Sequence, residues 1–264
     1  MAGKPFKAVG AQVWRALALL LLCGVSLQLY FVARIALMAV LAPQSTTFQR
    51  SEAWRLLTEK HRIDWSQDWV DQDRISAQLK RAVIASEDAG FVGHGGVDWD
   101  ALEAAWDKNQ RAEAIAARRN AQLDKRPAKP GAAAPAKPKV EPKVVGGSTI
   151  SQQLAKNLFL SGERTALRKA QEFVLTLTLE ALLGKQRILE IYLNNVEWGE
   201  GVFGAQAAAR HYFRTDAVRL DAASAARLAV MLPAPKRFEK NAGSAYVLGR
   251  AATISARMGG VELP

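Results

Sequence analysis

Cysteine is almost absent: Cys23 is the only one in 264 residues, which excludes an internal disulfide and any cysteine-based zinc site. Histidine is nearly as scarce, and His61 and His211 have no partner at ligand spacing, so both read as structural or surface residues. No run alternates apolar and polar strongly enough to argue for a sheet, and no internal repeat is present. Acids are the scarcer charge, 25 Asp and Glu against 36 Lys and Arg, for a net +11. That excess is concentrated. Residues 108–143 hold ten Lys or Arg against three acids, five of the ten prolines and no aromatic residue. A nucleic-acid groove needs basic residues interleaved with aromatics on a folded surface, so no nucleic-acid partner is expected. Such a segment buries too little apolar surface to offset its ordering entropy. It reads as a disordered Lys/Ala/Pro insert, a solvated loop that at most grazes anionic lipid headgroups.

Charge is missing altogether from residues 16–33, "ALALLLLCGVSLQLYFVA". Eighteen residues at helical rise cover about 27 Å, close to a hydrocarbon core. Apolar character continues past Arg34 through "IALMAVLA", so a tilted helix with a snorkelling arginine is expected over residues 16–42. Lys4, Lys7 and Arg15 precede it, which favours the N-terminus inside and the remainder outside. A cleaved signal peptide is the rival reading, but its apolar region is usually about 7–15 residues.

What is present beyond the anchor is helical. Ile75, Leu79, Ala82, Val83 and Ser86 mark one face of a helix. A second helix starts near Asp98 and runs into the insert. "GGSTISQQLAKNLFL", residues 146–160, has capping-box spacing at Thr149 and Gln152. A long helix, "RTALRKAQEFVLTLTLEALLG", should stop at Gly184, and four further helical pieces follow, one closed by Pro233 and Pro235. The fold class expected is mostly α.

Chemistry collects in three places. "SEDAGFVGHGG" delivers Glu87 and Asp88 side by side into a glycine-rich loop with Phe91 and His94. Two acids beside an aromatic suggest a carboxylate positioned for work, with His94 fastening the loop. On "GGSTISQQLAKNLFL", Ile150, Leu154 and Leu158 make a core stripe, while Thr149, Gln153 and Lys156 share another face. Gly146 and Gly147 allow close approach to the helix N-terminus, where free N–H groups favour an anion; an ordinary capped helix with a polar face is the plainer reading. Glu172 heads the run "FVLTLTL", too apolar for an exposed face, and needs a partner there. Lys169 is one turn earlier and Arg168 beside it. A structural ion pair and an acid held among cations to receive an anionic leaving group are both open.

Together these stretches resemble a known family. "EDAGFVGHGG" looks like the first motif of the family 51 peptidoglycan glycosyltransferases, Glu-Asp-x-x-Phe-x-x-His-x-Gly. "GGSTISQQLAKNLFL" is similar to the second motif, "RKAQE" to the third, "ILEIYLNNVEWGEGVFGAQAAARHYF" to the fourth and "LAVMLPAPKRF" to the fifth, in family order. The Lys/Ala/Pro insert lengthens the usual spacing between the first two motifs, and Ala89-Gly90 stand where bulkier polar residues are more usual. No Ser-x-x-Lys occurs, unlike the transpeptidase of bifunctional relatives.

The resemblance implies a lysozyme-like glycosyltransferase domain over 43–264, periplasmic, behind a short cytoplasmic N-terminus (1–15) and a single transmembrane helix in the bacterial inner membrane. Its implied substrates are lipid II and the growing glycan strand. By motif position Glu87 is implied as the general base and Glu172 as the second catalytic glutamate. Asp88, Thr149, Gln153, Lys156, Arg168 and Lys169 are implied as substrate-binding. No cofactor is required, with a divalent cation, Mg or Mn, near Glu172 as the one addition the family admits. Cell-division or elongation proteins are the implied protein partners. Two rivals remain: a lytic lysozyme-like enzyme that cleaves glycan, and a membrane scaffold without catalysis. A lytic enzyme has no use for the cations at Lys156, Arg168 and Lys169; a scaffold has no use for two retained glutamates.

Overall fold

The computed structural model describes residues 4–124, 139–142, 146–163 and 165–264. Helix α1 runs from Lys4 to Leu37, and Gly10–Leu37 is long and apolar enough to cross a membrane, with no residue of its most apolar window buried. The helix stops short of residue 42, where the anchor was expected to end. After Leu37 the chain turns, and Ile35 and Met38 are buried in the domain core. The reason is packing. Phe31 meets Phe159 edge-on at 5.3 Å, the Gln28 and Gln171 amides bond each other at 2.7 and 3.2 Å, and Arg187 Nε donates to the Met38 carbonyl at 2.8 Å.

Helix α2, Thr47–Arg55, opens on a capping box between Thr46 and Gln49. Three helices pack mutually behind the site: α3 (Ala77–Glu87), α9 (Ala222–Met231) and α11 (Ala245–Met258). The stripe expected on α3 is the buried one, Leu79, Ala82 and Val83 being inaccessible. Helix α5, Ile150–Phe159, lays Ile150, Leu154 and Leu158 against α6, Ala166–Leu182. Gly184 does not cap α6. It sits in extended backbone as the N-cap of α7, Lys185–Asn195. On α6 only part of the apolar run is buried: Leu175 and Leu179 are, whereas Phe173, Val174 and Leu177 are 37–44% exposed. That open side belongs to the helix on which α1 packs.

Helix α4 spans Trp99–Asp124, which corrects the expectation of disorder from residue 108. Alanine, arginine, glutamine and glutamate are strong helix formers, and their summed propensity together with buried Ala105 and Ala116 carries the helix into the insert. Asn120 then clasps the returning chain, accepting from Val140 N at 2.8 Å and donating to its carbonyl at 3.1 Å. Residues 125–138 and 143 of the insert lie outside the described residues.

A small sheet escaped the sequence pattern because its strands have only two or three residues: β1 Ser66–Gln67, β2 Glu197–Gly199 and β3 Val202–Phe203. Its order is β1-β3-β2, with β1 parallel and β2 antiparallel to β3. Helix α8, Ala205–Phe213, follows from Gly204 at φ 82°, and the short α10, Pro235–Phe238, starts with proline in its first turn.

Candidate active site

Glu87 is the last residue of α3, and Asp88 leaves the helix in a non-helical conformation. This answers why the two acids are adjacent: the helix end turns Glu87, half-buried, toward Gln153 and Asp88 into the core. Asp88 is buried. Its Oδ1 pairs with His94 Nε2 at 2.8 Å and its Oδ2 accepts from Ile150 N at 2.9 Å. His94 Nδ1 accepts from Gly96 N at 3.2 Å, which leaves the ring proton on Nε2 for Asp88. Thr149 closes the same junction. Its hydroxyl donates to the Gly96 carbonyl at 2.6 Å and accepts from Gln152 N at 3.1 Å, completing the capping box.

The first turn of α5 therefore already has its anion, the Asp88 carboxylate, and is not a free anion site. Asp88 and Thr149, expected to bind substrate, are buried and do not line the cleft. Their work is to lock the Glu87 loop onto α5. Asp88, His94 and Asp98 do bring three ligand-type atoms within 4.8 Å of one another. Both Asp88 oxygens are engaged, however, and Asp98 Oδ1 accepts from Ala101 N at 2.8 Å. Asp88 and His94 form a hydrogen-bonded clasp, and Asp98 is bonded to Ala101 in the first turn of α4.

Glu87 itself is met by Gln153, whose Nε2 donates to Oε2 at 3.0 Å, and by the Ser86 hydroxyl at 3.4 Å from Oε1. Burial raises its carboxyl above the ordinary value; the Gln153 and Ser86 bonds oppose this, Asp88 adds to it and the Lys156 charge counters it. One turn beyond Gln153, Lys156 is driven downward by burial, Glu172 opposing and Arg168 and Lys169 reinforcing. Glu172 is 4% exposed. Arg168 Nη1 bonds its Oε2 at 2.9 Å, and Lys169 Nζ bonds its Oε1. Three cations thus surround one carboxylate in an open cleft of about 600 Å³, which Gln153 also lines.

The cleft also has an acidic group. Glu52 and Glu197 line it, and Lys236 stands between them, 2.5 Å from Glu52 Oε2 and 3.5 Å from Glu197 Oε1. Glu197 is 6% exposed, and its Oε1 has no aligned hydrogen bond. Its carboxyl is pushed up to about 7, chiefly by burial, with Lys236 opposing and Glu52 adding.

Comparison with known proteins matches the chain to a family. The model of the family described as Transglycosylase fits residues 35–117 and 131–259. The chain belongs to that family. It is 45% identical over 247 residues to the biosynthetic peptidoglycan transglycosylase of Paraburkholderia phytofirmans, covering 94% of this chain and 91% of the relative. It is 48% identical over 237 residues to the protein of that name in Burkholderia thailandensis, covering 90% and 82%. The transglycosylase is accordingly a peptidoglycan glycosyltransferase. The family match starts at Ile35, the first residue of α1 buried in the core, and passes over 118–130 inside the insert.

Of the residues singled out in the sequence, the transglycosylase brings Gln153, Lys156, Arg168, Lys169 and Glu172 to one cleft, with Glu87 bonded to Gln153 at its edge. His61 and His211 lie on the surface, as expected. Missed were Tyr192, whose hydroxyl donates to Gln153 Oε1 at 2.9 Å, and the Glu52, Glu197 and Lys236 group. An acid set between Val196 and Trp198 was the available hint for Glu197; Tyr192 carried none.

Proposed function

We propose that the protein polymerises lipid II into β-1,4-linked glycan, with Glu87 as general base and the Lys156, Arg168 and Lys169 group receiving the leaving pyrophosphate. The single observation behind this is that Gln153 and Lys156, less than one turn apart on α5, touch the base and the cationic site respectively. Glu87 takes the proton of the acceptor's 4-hydroxyl as that oxygen attacks the donor's C1. The C1–O bond to pyrophosphate breaks on the opposite face, inverting the centre and releasing undecaprenyl pyrophosphate. A base whose pKa is raised toward the working pH suits this transfer. The leaving group chiefly needs its charge met, which the three cations supply. Glu172 keeps Arg168 and Lys169 aimed. Both its oxygens are already bonded to cations, a poor ligand set for a protein-held divalent ion, so no step is assigned to one.

The reading places α1 across the inner membrane with the catalytic domain outside, supported by Lys4, Lys7 and Arg15 before the apolar run. The exposed Leu167, Val174 and Leu177 of α6, the helix that carries the cations and packs on α1, fit a lipid-facing side. A substrate with a polyprenyl tail would then meet the cleft in the plane of the membrane. A lytic enzyme would leave the cationic pocket without a task.

The test is incubation of detergent-solubilised wild type and Glu87→Gln with labelled lipid II. Wild type should give polymer, and the variant should fall by roughly 10²–10⁴-fold with its circular dichroism unchanged. A folded variant with near wild-type turnover removes Glu87 from the mechanism.

A further inference from the structure

We infer that Tyr192 is a positioning residue of the general base, its buried hydroxyl orienting and polarising the Gln153 amide so that the amide N–H is given to Glu87. The inference rests on Glu87 being that base. Three groups form a directional chain: Tyr192 O–H donates to Gln153 Oε1 at 2.9 Å, and Gln153 Nε2 donates to Glu87 Oε2 at 3.0 Å.

An amide has two faces. Turned one way it offers N–H to a carboxylate and favours the ionised form that can accept a proton. Turned the other way it offers an oxygen, which only a protonated carboxyl can meet. On the nitrogen side of Gln153 stand two acceptors, Glu87 and, at 3.5 Å, the Ser148 carbonyl. On the oxygen side stands Tyr192, 1% exposed and held in the middle of α7. Burial, with Glu87 and Asp88 adding to it, pushes the phenol far above its ordinary range, so it keeps its proton at any working pH. A donor that never ionises, on one side of an amide, strengthens donation on the other.

The remaining groups that act on Glu87 are the Ser86 hydroxyl, the Asp88 carboxylate and the Lys156 ammonium. None of them touches Gln153 Oε1. Tyr192 thus controls one contribution to the base's ionisation without contacting the substrate or the base.

The experiment is the pH profile of kcat/KM for lipid II polymerisation, whose acidic limb reports the free enzyme's base. Tyr192→Phe should move that limb upward by roughly half to one pH unit, the scale of one lost hydrogen bond, while the alkaline plateau is largely kept. A merely structural tyrosine would lower the rate at every pH and leave the limb in place. Gln153→Met should raise the limb by itself, and in that background Tyr192→Phe should add nothing. Replacing Tyr192 with 3,5-difluorotyrosine, a stronger donor of the same shape, should move the limb to lower pH. An unmoved limb in a folded Tyr192→Phe protein, or a shift that persists without Gln153, overturns the inference. If the phenylalanine variant does not fold, the fluorinated protein decides, and an unmoved limb there overturns it equally. Failure of the base assignment would look different: Glu87→Gln would retain turnover whatever Tyr192 does.

Discussion

Glu197 shows what a single residue contributes when its environment disfavours its charge. Its carboxyl is pushed up to about 7 in the folded chain, above the ordinary carboxylate value, so the fold prefers the protonated form. The stability this carries is present at acid pH and is lost as pH rises through about 7. Glu197→Gln should therefore match wild type near pH 4 and exceed it near pH 8, by up to about 3 kcal/mol. Urea unfolding at the two pH values checks this; an equal difference at both would show that the carboxyl is not desolvated. Gly204 works by geometry instead. It sits at φ 82°, and a Cβ there would fall 2.6 Å from the Asn194 carbonyl oxygen. Gly204→Ala should cost roughly 2 kcal/mol or more in the same measurement, because neither backbone can move aside cheaply.

At the scale of elements, α6 joins stability to function. Its N-terminal turns carry Arg168 and Lys169 while its core face packs on α5. Lys169 is 55% exposed at its side chain and Arg168 17%, so removing the lysine should hardly disturb the fold. Lys169→Ala should slow polymerisation roughly tenfold or more, the worth of a charge-assisted bond, and should weaken inhibition by added pyrophosphate in parallel. Arg168→Lys should also impair turnover, because a point charge does not replace the planar guanidinium that reaches Glu172. If both variants bind pyrophosphate and turn over like wild type, the leaving group sits elsewhere. The insert makes the opposite case. Deleting residues 125–138 keeps α4 and the Asn120–Val140 clasp and removes no large apolar side chain. Closure free energy changes by only about 0.6 kcal/mol per doubling of loop length, so the thermal midpoint should stay within about 3 °C.

For the whole molecule, the end of α1 is part of the domain. Phe31 packs on Phe159, and Ile35 and Met38 are buried. Each buried apolar side chain of this kind contributes roughly 1.5–3 kcal/mol. A chain starting at residue 44 should therefore unfold several degrees below one starting at residue 27, which retains the Gln28–Gln171 pair. Equal midpoints in the same detergent would show that α1 merely tethers the domain.

The helical periodicity of α3 and α5, the uncharged run in α1 and the five motifs were legible in the sequence because each depends on spacing along one element. The candidate base and the cationic group were legible through the resemblance those motifs carry; pattern alone left a structural ion pair at Glu172 equally open. Residue pattern by itself did not separate Glu87 from Asp88, since adjacent acids share every local property; their different roles came from the family resemblance. Only the turn at the end of α3 sends one toward Gln153 and the other under α5. Nor did it show how far α4 extends, because helix propensity and lack of core surface point opposite ways in an Ala- and Arg-rich segment. The role of Tyr192 and the meeting of Glu52, Glu197 and Lys236 were decided by tertiary structure. These residues meet their partners across 39 residues in one case and 184 in the other, and packing, not spacing, brings such residues together.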